Sequence, residues 1–559
     1  MTVWELDSIY ASDAAFSEEV SRVKELLVGE DILKLQEAGM LLKQLDSYVS
    51  CLMAQDPSDQ AAHVKNGELS GLSAAYEGAL FKLANRLAEM EEADFQQLLE
   101  EFSEIAFYIE ELREVAKRKG TKEQEELINA LSADGYHSFW SLYQSFTGKI
   151  KVGKEGLSIG QAYNLLSDAN RQVRQQAFKD WNEAWEKDAD FLAQLLNHLA
   201  GFRLKVYEAR GWDDILDEPL FLNRMEPETL NAMWHAIEEA KPAFLRYLEH
   251  KAKLLGLEKL SWVDVEAPLG EVAEIPWETA CEIIVEQFGK FHPKKAEFAK
   301  GVLEKQWVEA EDRKGKAAGG FCVMLPKSGE SRIFMTYKGT PINVATLAHE
   351  LGHAYHNECV KDLPYFYQQM QMNVAETAST FGEAVVIDQV IKGAKTDEER
   401  MQLLDDKLQR AVAYFMNLQA RLIFEKAFYE ERKQGFVSVE RLCDLMVAAQ
   451  KEAYCDALAD WDPYFWASKL HFYYTHFPFY NFPYTFGYLL STGLYARAKE
   501  GDFGPKFDAF LADTGQMRVE DLAEKHLGVD LRKPDFWRDC LDVLVKDVDK
   551  FINPLSIEN

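Results

Sequence analysis

Two histidines four residues apart bracket a glutamate in Thr346-Leu-Ala-His349-Glu350-Leu-Gly-His353-Ala-Tyr-His356, the H-E-x-x-H pattern. On a helix a four-residue step returns to nearly the same face. His349 and His353 can therefore hold one Zn²⁺ while Glu350 stands beside them as a general base. A catalytic zinc generally takes three protein ligands and leaves a fourth place to water, so a third ligand is required. A metzincin would place glycine at position 356 and histidine at 359. The chain has His356 and Cys359, which excludes that class.

Glu358 and Asp362 lie on or just beyond the same helix and point away from the metal. A better source is Asn373-Val-Ala-Glu376-Thr-Ala-Ser-Thr-Phe-Gly-Glu383, where Glu376 and Glu383, seven apart, share a helical face. One can ligate while the other orients. Spacing alone leaves Glu376 undecided, because Asn373 followed three residues later by Glu376 also reads as a capping box at a helix start. His356 shares the stripe of the two histidines, and it reads equally as their outer hydrogen-bond partner or as a packing side chain.

A second concentration of donors is Leu470-His471-Phe-Tyr-Tyr-Thr-His476-Phe-Pro-Phe-Tyr480-Asn-Phe-Pro-Tyr484-Thr-Phe-Gly-Tyr488. Hydroxyl and imidazole donors suit a tetrahedral oxyanion at a metal, and aromatic faces can hold substrate side chains. The bland reading is a buried aromatic cluster whose hydroxyls are satisfied internally.

The elements that must position these groups are legible around the signature. Thr340 followed by Pro341 is the grammar of a helix start, and Val344, Leu347, Leu351 and Ala354 form a buried stripe that leaves the histidines on another face. Upstream, Gly319 to Leu325, a turn at Pro326 to Glu330 and Arg332 to Tyr337 are β-branched or aromatic enriched, which predicts a hairpin delivered into that helix. The first third reads as helix over Phe16 to Ser50, Leu69 to Arg118, Lys122 to Leu131 and Ser158 to Tyr207, with Phe102, Ile105, Ile109 and Leu112 as a core stripe. Gly120-Thr121 reads as a helix stop followed by a new N-cap, and Asp134-Gly135 as another break. Lys149 to Gly156 reads as a short hairpin, and Pro219 to Gly270 holds two more helices.

With 559 residues, 47% hydrophobic and 12% aromatic, the chain is a globular protein with more than one structural lobe. No segment approaches the roughly 18 unbroken apolar residues of a membrane helix, and the first residues carry no signal-peptide pattern. Seven scattered cysteines without C-x-x-C spacing fit reduced thiols and a cytoplasmic location. A formal charge of −31 argues against nucleic acid as a partner. The same acidic surface favours cationic peptides or simply keeps the protein dissolved.

Taken together, His349-Glu-Leu-Gly-His353-Ala-Tyr-His356, Val374-Ala-Glu376-Thr-Ala-Ser-Thr-Phe-Gly-Glu383 and Phe479-Tyr-Asn-Phe-Pro-Tyr484 resemble the thimet-oligopeptidase-like zinc peptidases, and within them the oligoendopeptidase F branch. Weaker echoes are Trp4-Glu-Leu and Lys251-Ala-Lys-Leu-Leu-Gly-Leu. The resemblance implies that Glu376 is the third ligand of one zinc per chain and that Glu383 is an acid supporting a ligand. It also implies that a C-terminal histidine and tyrosines, His471, Tyr480 and Tyr484, polarise the scissile carbonyl, with His476 as the competing histidine. The implied fold is mainly α, two helical lobes around a deep substrate channel with a small β-sheet next to the H-E-x-x-H helix. Residues 1–200 would then form the lobe covering the channel and 201–559 the catalytic domain. The implied activity is endopeptidase cleavage of short unstructured peptides. Two alternatives are a zinc carboxypeptidase and a peptide-binding relative without catalysis.

Overall fold

Thr340 and Pro341 start the signature helix as their chemistry dictates. The Thr340 side chain accepts the N–H of Asn343, proline occupies the first turn, and the helix runs Pro341–Val360. Its stripe Val344, Leu347, Leu351 and Ala354 is buried. The structure, a computed structural model, describes residues 2–270, 274–317, 319–498, 501 and 503–553. The elements are overwhelmingly helical.

One small sheet stands among them: β1 (Val308–Glu309), β2 (Phe321–Leu325) and β3 (Glu330–Phe334), in the order β1-β3-β2. β2 pairs antiparallel with β3 from Phe321↔Phe334 to Leu325↔Glu330, the expected hairpin, and β1 runs parallel to β3. β1 was not legible because two residues carry no period. It is fixed by the chain start, where the Thr2 hydroxyl donates to the Val308 carbonyl at 2.6 Å and the Trp4 N–H donates to Glu309 Oε2 at 2.9 Å. Alternation along the hairpin sends Phe321, Val323 and Phe334 into a core with Trp4 and with Phe16, Leu45 and Val49 of helices Asp13–Leu26 and Ile32–Gln55. On the other face, Asn357 of the signature helix donates to Ser331 Oγ at 3.1 Å.

The chain clusters into two units, each assembled from three sections. The first comprises Met1–Lys119, Val272–Gln389 and Ser491–Val529; the second comprises Gly120–Glu271, Val390–Leu490 and Asp530–Asn559. Behind the ligand-bearing face of the first unit, the buried Lys295 ammonium lies 4.4 Å from the Phe288 ring centre and 5.0–5.5 Å from those of Tyr355, Phe381 and Phe507. Those rings come from four different helices, so one cation gathers them. In the second unit the fully buried Lys251 donates to Asp405 Oδ2 and to the Val265 carbonyl, both at 2.9 Å, and the Tyr247 hydroxyl donates to Asp405 Oδ1 at 2.6 Å. These hydrogen bonds offset the desolvation cost of burying the pair.

Long helical patterns in the first third resolve into shorter helices. The stretch 16–50 divides at Gly29 (φ +99°), with Asp31 capping the second helix. The stretch 158–207 becomes Ile159–Leu165, Arg171–Lys187 and Ala189–Arg210. Thr121 caps helix Lys122–Ser132 with the full capping box. Asp134-Gly135 does not break the chain; it passes through a π-helical turn, Ala133–His137, into helix Ser138–Thr147. The expected hairpin at 149–156 reduces to one bridge, Val152↔Leu157. No helix among the described residues is long and apolar enough to cross a membrane.

Candidate metal centre

The four-residue step places both histidine rings on one side of Pro341–Val360, their Nε2 atoms 3.1 Å apart and their planes nearly perpendicular. Glu376 arrives from the neighbouring chain section, where the short helix Met372–Ala375 ends and helix Thr377–Lys392 begins. Its Oε2 lies 3.2 Å from His349 Nε2 and 3.4 Å from His353 Nε2. The N-cap of the short helix is Gln371, so the alternative role of Glu376, in a capping box started by Asn373, does not arise. The three ligand atoms lie within 4.8 Å of one another. All three side chains are partly solvent-accessible.

Two glycines allow this convergence. A Cβ on Gly352 would stand 2.4 Å from the Ala378 carbonyl oxygen, and one on Gly382 would stand 2.7 Å from that of Ala348. The signature helix and Thr377–Lys392 thus touch backbone to backbone. Sequence reading passed over both glycines. The available signal was a glycine inside a strong helix, which costs helix stability unless a close neighbour requires it.

Outer contacts fix the orientation of the ligands. Glu383 Oε1 lies 2.7 Å from His349 Nδ1, which assigns the ring proton to Nδ1 and leaves the Nε2 lone pair facing Glu376. The Ser379 hydroxyl donates to Glu376 Oε2 at 2.8 Å, a contact the sequence did not suggest. Burial raises the Glu376 carboxyl, but when His349 and His353 carry a second ring proton their hydrogen bonds and charge outweigh it and hold the group well below the usual carboxylate range. Glu350 is 5% exposed and its Oε2 has no hydrogen-bond partner. Burial pushes its carboxyl upward, against the pull of His353 and His349. A buried carboxylate oxygen without a donor, beside two converging imidazole nitrogens and a carboxylate, is the environment a divalent cation and its water would complete. The donor set, two histidine nitrogens and one carboxylate oxygen, fits zinc.

His356 resolves as a packing residue. It is fully buried, with Nε2 2.9 Å from Thr514 Oγ1 and 3.2 Å from the Leu511 carbonyl, and desolvation pushes its pKa down to about 3. The centre opens into a cavity of about 560 Å³ lined by Gly320 to Met324 of the β2 edge together with Lys43, Tyr365 and Gln369.

His471, Tyr480 and Tyr484 belong to the second unit. There the His471 ring lies 5.5 Å from Tyr480 and 6.3 Å from Tyr484, and its Nδ1 has no partner. Burial, with Arg421 and Lys469 adding to it, pushes His471 down to about 3. His476 is exposed and stacks on His137 at 4.7 Å.

The chain is similar to several known proteins. The sequence model of Peptidase family M3 matches residues 164–539, and that of Oligopeptidase F, an N-terminal model, matches residues 86–151. An oligoendopeptidase F homolog of Lactococcus lactis subsp. lactis is 24% identical, over 95% of this chain and 94% of its own. Oligopeptidase PepF of Bacillus subtilis is 24% identical, over 95% and 84%. Among solved structures, a putative peptidase from Chlamydophila abortus superposes with a TM-score of 0.84 at 18% identity, covering 98% of both chains. Oligoendopeptidase-F from Enterococcus faecium superposes with 0.70 at 18% identity, covering 99% of this chain and all of that one. With a family model spanning more than half its length, the chain belongs to the oligoendopeptidase F branch of peptidase family M3 and is a metalloendopeptidase.

Proposed function

We propose that the chain is a zinc-dependent oligoendopeptidase that hydrolyses internal bonds of short unstructured peptides, with one zinc held by His349, His353 and Glu376. The observation that carries this reading is the convergence of those three ligand atoms within 4.8 Å beside a buried, unpartnered Glu350 oxygen. Zinc bound there supplies Lewis acidity, which acidifies a water and polarises a carbonyl. Glu350 Oε2 takes the proton of the attacking water and passes it to the nitrogen of the leaving amine. Glu383 holds the His349 ring, and Ser379 holds Glu376. The free edge of β2 offers backbone N–H and C=O groups to an extended peptide, which adds to the sheet as a further strand.

His471, Tyr480 and Tyr484 donate hydrogen bonds to the scissile carbonyl oxygen as it gains charge. His471 takes this role over His476 because its Nδ1 is unpartnered beside both tyrosines, whereas the exposed His476 stacks on His137. Seven free cysteines and a net charge of −31 support a cytoplasmic enzyme that does not act on nucleic acid.

Glu350→Gln keeps the size and the polarity of the side chain and removes the base. The expected result is turnover lowered about 10²–10⁴-fold with zinc content unchanged by elemental analysis. Turnover near the parent value would remove Glu350 from the proton-transfer role.

A further inference from the structure

The second unit holds a cavity of about 210 Å³ whose walls come from distant parts of that unit, including Tyr163, Trp262, Tyr414, Arg421, Phe465 and Lys469. It opens to solvent at Tyr163, which is 43% exposed, and at the exposed Glu266. Two cations face this space. Arg421 is held by amide oxygens: its Nε donates to Asn417 Oδ1 at 2.9 Å and its Nη1 to Asn481 Oδ1 at 3.2 Å. The Lys469 ammonium lies 4.9 Å from the Tyr163 ring centre and 4.8 Å from that of Phe465. Among the described residues, neither cation has a carboxylate at ion-pair distance.

Nearby acids act on the two cations only at longer range, Glu266 at the cavity mouth on both, Glu425 on Arg421 and Asp462 on Lys469. Asn481 donates to Glu425 Oε2 at 3.0 Å, and burial raises Glu425 to about 8. Asp462 is buried in the cavity wall and raised to about 7 by the same cause. Burial in turn lowers Lys469 to about 8 and Arg421 to about 10. In a chain of net charge −31, two half-buried cations without a carboxylate at ion-pair distance keep donors available for charge-assisted hydrogen bonds to an entering anion.

We propose that this cavity binds a carboxylate group, carried by the C-terminus of a peptide or by a small free acid, with Arg421 and Lys469 as its anchors. Charge-assisted hydrogen bonds from a guanidinium and an ammonium suit a carboxylate, and the aromatic walls suit an apolar group attached to it. The volume lies below the roughly 300–1,000 Å³ of pockets for drug-sized ligands, so the cavity accommodates about one amino-acid residue rather than a longer segment. The proposal stands on the cavity and does not require the hydrolytic reading to hold.

The test uses full-length zinc-loaded Glu350→Gln protein in calorimetric titrations with a short peptide acid, the same peptide as its C-terminal amide, and N-acetylleucine. The expected result is a peptide acid bound about tenfold more tightly than the amide, a preference lost in Lys469→Met and kept in Lys469→Arg, with both variants melting like the parent. N-acetylleucine that binds in a Lys469-dependent way, without any acid–amide preference between the peptides, also supports the carboxylate site and assigns it to a free acid. Equal affinity for acid and amide with no binding of N-acetylleucine would overturn the proposal, as would a preference that survives Lys469→Met. Loss of all peptide turnover in the parent enzyme would sink the peptidase reading and leave this outcome standing.

Discussion

The metal centre and the second-unit cavity gather charged groups of opposite sign. At the first, the carboxylates of Glu376 and Glu350 stand beside two converging imidazole nitrogens. At the second, Arg421 and Lys469 face one cavity and, among the described residues, have no carboxylate at ion-pair distance. The Lys251–Asp405 pair shows what completion looks like, since both charges there are fully buried and each is met by hydrogen bonds. The Lys251–Asp405 pair is closed by its own hydrogen bonds, whereas the two cavities present charged groups that a ligand of the opposite sign can meet.

That contrast can be broken from either side. The largest effect belongs to the completed pair: Lys251→Met strands Asp405 and is expected to cost about 3–5 kcal/mol in denaturant unfolding without changing zinc affinity in the protein that remains folded. A loss below about 1 kcal/mol would remove the pair as an example of internal completion. Next comes the helix crossing at the metal centre. Gly352→Ala drives a methyl into the Ala378 carbonyl, and an overpacking cost of about 1–3 kcal/mol should appear together with weakened zinc binding. Unchanged zinc affinity would show that Glu376 does not depend on this close approach. The smallest effect is expected from Glu383→Gln, which keeps a hydrogen bond to His349 but loses the charge; zinc affinity should fall about 10–100-fold, read by competition with a chromogenic chelator. An unaltered affinity would leave Glu383 without a part in orienting the ligand.

The two regions also differ in how far the sequence disclosed them. His349, Glu350, His353 and Glu376 sit in two short helical motifs, so a four-residue step and a chemical rule about zinc were enough to bring them forward. Deciding for Glu376 required resemblance to a family, because Asn373 made a capping box equally plausible until Gln371 was found at the helix start. Gly352, Gly382 and Ser379 stayed silent: a glycine's demand for close approach is visible only when the opposing helix is in place. β1 was too short to show a period. The cavity around Arg421 and Lys469 draws its walls from residues 163 to 484, and no local pattern marks two charges as unpaired when every candidate partner is distant in sequence. Helices in the first third followed from composition and periodicity, while the mainly helical class of the whole chain was what the family resemblance implied. The interleaving of the two units did not, because it depends on long-range contacts rather than on local signals.

The most direct measurement is a mass-spectrometric digest of a mixed library of end-blocked short peptides by the purified protein, untreated, stripped with a chelator, and reconstituted with one equivalent of zinc. The expected result is cleavage at internal bonds, abolished by the chelator and restored by the single equivalent. Cleavage that persists in fully metal-stripped protein would contradict the zinc site built from His349, His353 and Glu376, and failure to cut any blocked peptide under all three conditions would contradict endopeptidase action.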